Sequence, residues 1–281
     1  MRKLLPQVFS QEPGKKYLSK TAWEGFLTNG LYSEMFRDPK IQDLYWRGLE
    51  LTDDDYPQHQ KHVTDPDKGI AEHLALAYMY CEEKFGLDHP LFRAFWETEN
   101  IKQHAHFVNY LGQEFVFRSG THGYFKNHPS GKQRLRAFWS WLLENHEEQE
   151  TFREFGLWIN LEKGIFLPDW LAPRVRMTLE KSKGVLESEN DLRESSVRLA
   201  QEAPEDTLKI ARLHLFEGGV RGGRQQTLMR WDLDKKWIEA FKVLYDNPAT
   251  RVQTEALINQ LVRDGRQAFW LLEQVVADNN P

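Results

Sequence analysis

Asp65 to Phe115 reads DPDKGIAEHLALAYMYCEEKFGLDHPLFRAFWETENIKQHAHFVNYLGQEF, and its punctuation is helical throughout. Asp65-Pro66-Asp67 has the form of an N-cap with proline in the first turn. Ile70, Leu74, Ala77, Tyr78 and Cys81 then recur at spacings of three and four. Gly86 closes that helix, and Asp88-His89-Pro90 opens the next, which carries Leu91, Phe92, Phe95 and Trp96. Ile101, Phe107, Val108, Leu111 and Phe115 continue the period through a third helix.

Outward from this stretch the pattern repeats. Ser130 begins a segment with Leu135, Phe138, Trp139 and Leu142 on one face. Pro168 opens a helix with Leu171, Val175 and Leu179. Residues 188–203 place Leu192, Ser195, Ser196 and Leu199 together, and Pro204-Glu205-Asp206 precedes Leu208, Ala211 and Leu215. Asp232 starts a helix with Trp237, Phe241 and Leu244. Asn247-Pro248 starts one with Val252, Leu257 and Leu261, and Gly265 precedes one with Phe269, Leu272 and Val276. Two stretches could pair as short strands: Glu114 to Arg118 (EFVFR) and Gly164 to Leu167 (GIFL). Helices at intervals of about 15 to 20 residues with short polar joints have the rhythm of stacked hairpins. The expected fold is all-α, an irregular helical-repeat (α-solenoid-like) array of helical hairpins. It is expected to run as a single array over residues 1–281, with a weak sub-boundary near 147–186. There the acidic run Glu147-Glu148-Gln149-Glu150 and several glycines and prolines interrupt the aromatic density.

Composition narrows the classes of function. The chain has 281 residues, 13% of them aromatic and 10 of them Trp, enough large side chains to build a core and to exclude wholesale disorder. With 37 basic against 42 acidic residues, the formal charge of −5 argues against a dedicated nucleic-acid binder. Cys81 is the single cysteine, so the chain forms no internal disulfide and no thiolate metal site, which fits a reducing cytoplasm. The opening MRKLLPQVFSQEPGKK is basic, but Pro6 and Gln7 break its apolar run and no small-residue cleavage site follows, unlike a signal peptide. No uncharged stretch approaches the ~20 residues that span a bilayer.

Candidate chemistry is sparse. His59 and His62 follow Asp53-Asp54-Asp55, a combination able to hold a divalent ion, yet the surrounding prolines and alternating charge read as a solvated loop. His104 and His106 sit two apart, roughly 200° around a helix axis, so they cannot share one ligand from a regular helix. His122 and His128 fall in the joint SGTHGYFKNHPSGK. Glu82 is adjacent to Glu83, and Glu97 and Glu99 point to different faces, so no acid pair is set by spacing. An enzyme reading would place His104, His106 or His122 in a pocket beside Glu97 or Glu99.

Two further features concern binding. Glu217-Gly218-Gly219-Val220-Arg221-Gly222-Gly223-Arg224 reads either as a mobile linker or as an anion-binding loop, without the lysine ending or preceding strand of a P-loop. With Arg230 and Lys235, Arg221 and Arg224 form a basic front for phosphate or nucleic acid. The tryptophans mostly occupy apolar helical positions, where core packing accounts for them. Phe36, Tyr45, Trp46 and Tyr56 are candidates for a protein-binding surface, because stacked helices leave a concave face on which aromatics act as hot spots.

Thr21-Ala22-Trp23-Glu24-Gly25-Phe26-Leu27, then Leu31-Tyr32 and Leu44-Tyr45, resemble the opening of helical regions at the C-terminal ends of large bacterial antiphage proteins. These are STAND-class NTPases and sirtuin-like NADase proteins. Trp237-Ile238-Glu239-Ala240-Phe241, Ala256-Leu257-Ile258-Asn259 and Phe269-Trp270-Leu271-Leu272 resemble their closing helices. The chain departs from them in having no Walker motif, no Rossmann fingerprint and no nuclease signature. The resemblance therefore implies a sensor or scaffold region, either a fragment or a separately encoded subunit, and transfers no catalytic residue. The combined expectation is a cytoplasmic, non-catalytic interaction module of an antiviral system, free of cofactor and metal. Its partner would be a protein, an effector subunit or a foreign trigger, with neither nucleic acid nor membrane as its target.

Overall fold

The computed structural model describes residues 66–80, 85–121, 125, 128–161, 164–217, 235–264, 270, 272, 273 and 276. Every regular element among them is helical. In chain order these are α1 (Pro66–Tyr80), α2 (Pro90–Trp96), α3 (Ile101–Thr121), α4 (Gly131–Asn145) and α5 (Gln149–Arg153). A 3-10 helix (Glu154–Ile159) leads to α6 (Pro168–Ser182), α7 (Asn190–Glu202) and α8 (Pro204–Arg212). A π-helical turn (Leu213–Glu217), α9 (Lys235–Asp246) and α10 (Arg251–Arg263) follow. Four of these helices begin on a proline (Pro66, Pro90, Pro168 and Pro204), where the missing N–H costs nothing.

Neither candidate strand forms. Glu114 to Arg118 continues α3, because Phe115 extends the buried stripe of Phe107, Val108 and Leu111. Residues 164–167 are the turn and N-cap of α6, with Gly164 at φ 60 and Leu167 extended. The run Glu147-Glu148-Gln149-Glu150 leads into α5 and the 3-10 helix, which bury Phe152, Phe155, Trp158 and Ile159. Leu257 and Leu261 lie on the inner face of α10 as expected, together with Thr254 and Ile258, but Val252 does not: it is 77% exposed.

The chain divides into two compact units, residues 1–134 and 135–281, and the stretch 147–186 lies inside the second. In the first, α1 packs along α3. Phe92 of α2 sits among Tyr78, Phe85, Trp96 and Phe107, with ring centroids 5.7 to 6.1 Å away. Arg134 ties the end of α1 down. Its Nη2 donates to the carbonyls of Tyr78 (2.7 Å) and Phe85 (2.6 Å), its guanidinium lies 4.5 Å from the Tyr78 ring, and the Tyr78 hydroxyl donates back to the Arg134 carbonyl at 2.8 Å.

In the second unit Trp139 is the hub. Phe155 stacks on it at 4.7 Å, Trp158, Phe166 and Trp170 meet it edge-on, and its indole N–H donates to Thr178 Oγ1 at 2.9 Å. Beyond it α6 packs on α8, α7 on α9 and α8 on α10, in addition to neighbouring pairs. The polar residues of the α7 inner stripe are satisfied by backbone. Ser195 Oγ donates to the Ile159 carbonyl (2.7 Å) and accepts from Leu161 N–H (3.2 Å), while Ser196 Oγ donates to the Arg193 carbonyl (2.7 Å). None of the described helices is long and apolar enough to cross a membrane.

Candidate functional site

Most of the residues chosen from the sequence (Phe36, Tyr45, Trp46, Tyr56, Arg221, Arg224 and Arg230, with His59, His62, His122, Glu82 and Glu83) lie outside the described residues. Lys235 opens α9 and is exposed.

The described histidines are occupied by packing. His104 of α3 is buried and stacks on Trp96 at 4.5 Å. Its Nε2 lies 2.9 Å from the Phe95 carbonyl, which accepts, so Nε2 carries the proton and is no base at that atom. His106, on another face of α3, meets Glu72 of α1 instead, Nε2 to Oε1 at 2.9 Å. The two histidines therefore have separate partners, as their spacing requires. Glu97 and Glu99 are exposed, and the glutamate that engages a histidine here is Glu72. It comes from a different helix, so no local spacing signals it. His128 is buried. His89 lies 4.8 Å from the Phe85 ring, and burial lowers its pKa.

In the second unit His146 faces Glu148 at 3.3 Å. His214, in the π-helical turn, donates to the Gly184 carbonyl (3.2 Å) and lies 3.5 Å from Glu189. His146 serves its own joint, whereas His214 ties the π-helical turn to the segment between α6 and α7. Among the described residues no group of three or more His, Cys, Asp or Glu could hold a metal ion.

The arginines differ sharply in their surroundings. Arg176 of α6 reaches Glu180 (2.7 Å) and Asp206 of α8 (2.9 Å). The hydrogen bond to Glu180, assisted by Asp206 and opposed by burial, holds its pKa above the ordinary value. Arg198 pairs with Glu202 at 2.8 Å. By contrast, Arg136 of α4 and Arg174 of α6 both lean on Trp170, their guanidinium carbons 5.3 and 4.6 Å from its ring centroid. Phe166 stacks on the same indole at 5.0 Å. Leu167, at the N-cap of α6 and one turn before Trp170, is 56% exposed. No sequence signal marks this cluster, since Trp170 is one of many tryptophans in apolar positions. Exposed apolar side chains also occur at Val252 and at Trp270, which is 63% exposed. Compared with known proteins, the chain matches no family model, no curated protein and no solved structure.

Proposed function

We propose that the chain is a non-catalytic protein-interaction module, a sensor or scaffold built as an irregular array of helical hairpins. The exposure of Trp270 carries this reading. A tryptophan with 63% of its surface in water forgoes the burial that a core gives, and tryptophan, with tyrosine and arginine, is enriched at the hot spots of protein interfaces. The packing of α6 on α8, α7 on α9 and α8 on α10 supports the array, since stacked pairs present a rigid surface that loses little entropy on binding. The resemblance to the terminal helical regions of antiphage proteins supplies the setting: a bacterial defence system in the cytoplasm, with an effector subunit or a foreign trigger as partner.

Affinity purification of the tagged chain from phage-infected and uninfected bacterial lysates, with and without nuclease, tests the proposal. A stoichiometric protein that survives nuclease is the expected result. Its absence in every condition would sink the module. The enzyme reading is favoured by one contact, the His106–Glu72 pair, in which a carboxylate orients an imidazole as in general-base catalysis. A substrate screen comparing the wild type with H106A tests it.

A further inference from the structure

We propose that Arg136, Trp170 and Arg174 form a docking site for a carboxylate-bearing segment of a partner protein, with Leu167 receiving a neighbouring apolar side chain. This site rests on the interaction-module reading and gives it a surface and a ligand chemistry. Among the described residues neither arginine has a carboxylate within ion-pair distance, although Arg176, two residues after Arg174, has two. Arg136 Nε is buried and meets no acceptor there. Arg174 spends one N–H on the Trp170 carbonyl at 3.3 Å, which leaves the rest of its fork for a ligand. Cation–π contact with the indole holds both guanidiniums in place before a partner arrives, so less side-chain entropy is lost when a carboxylate binds.

Charge complementarity selects the partner. A guanidinium fork matches a carboxylate two oxygens to two N–H groups. A nucleic acid needs a run of cations along its backbone. Residues 135–281 hold 20 basic and 24 acidic residues, and Asp169, exposed beside Trp170, would repel a dense line of phosphates. The exposed Leu167 adds apolar area that a peptide side chain covers and a phosphate backbone does not.

The test pans a displayed library of random short peptides on the full chain, with excess R136Q/R174Q chain as competitor. Enriched peptides should carry Asp or Glu beside a large apolar residue. Synthesised with a fluorophore, they should bind R136Q/R174Q about tenfold or more weakly than wild type, and lose as much when their own acids become amides. R136K/R174K keeps the charge but not the planar fork and should also bind several-fold more weakly; it carries the test if the glutamine pair melts at a lower temperature. No enrichment, enriched peptides without acids, or equal binding by the variants would overturn the site. So would a fluorescent oligothymidylate bound by wild type and lost in R136Q/R174Q, which would reassign the cluster to phosphate. A partner captured from lysate equally by wild type and R136Q/R174Q overturns this site and leaves the module reading intact; no partner for either overturns the module reading itself.

Discussion

Gly156, in the 3-10 helix, is a position where one methyl group decides whether two segments can meet. A Cβ built there would lie 1.7 Å from the Ser188 carbonyl oxygen and 2.6 Å from its carbon, both backbone atoms that cannot swing aside. The same joint is closed by the Glu187 N–H, which donates to the Arg153 carbonyl at 2.9 Å, so relief of the clash would also strain that bond. Gly156→Ala should destabilise the protein by at least about 3 kcal/mol, the upper end of overpacking costs, in a denaturant titration. A loss below ~1 kcal/mol would mean that the joint can open. Thr178 offers a second single-atom test. Its Oγ1 is the acceptor for the Trp139 indole N–H, and both residues are fully buried. Thr178→Val keeps the shape and removes the acceptor, which should cost about 1–3 kcal/mol. An unchanged midpoint would show that the indole N–H finds another partner.

Among the elements, α1 is fastened by Tyr78 and Arg134 gripping each other. Burial holds the Tyr78 phenol well above its ordinary pKa, against a smaller downward pull from the Arg134 charge. The folded state therefore binds the phenolic proton more tightly than the unfolded chain, whose tyrosines titrate near ~10. The sign follows: the contribution is fully present below ~10 and is lost as pH rises beyond it. Y78F removes the titrating group together with the hydrogen bond to the Arg134 carbonyl, a loss of about 1 kcal/mol at neutral pH. Thermal melts of both proteins from neutral to alkaline pH should show their difference shrinking above ~10. A constant difference would mean that Tyr78 titrates alike in both states.

At the scale of the whole molecule, legibility followed the range of the signal. Helices that open on Pro66, Pro90, Pro168 and Pro204 were readable because their start signal and apolar period are local. The α5 and 3-10 segment was not, since so short a helix beginning in an acidic run shows no full period. Val252 falls outside the buried stripe of α10 because that stripe runs through Thr254, a polar residue whose hydroxyl donates to the Thr250 carbonyl at 2.8 Å. The separate placement of His104 and His106 followed from helix geometry alone. The Arg136–Trp170–Arg174 cluster did not, because Arg136 comes from α4 and the other two from α6, a juxtaposition made by tertiary packing. Overall charge, by contrast, needs no fold. With 37 basic and 42 acidic residues, long-range attraction to a duplex carrying one negative charge per ~1.7 Å is missing. Fluorescence anisotropy with a labelled duplex at physiological salt should therefore give a dissociation constant weaker than ~100 µM, the weak end of non-specific binding. Binding that appears at low salt should fall steeply as salt is added. Micromolar affinity at physiological salt, abolished in R221A/R224A, would instead make the basic front of Arg221, Arg224, Arg230 and Lys235 the working surface of the protein.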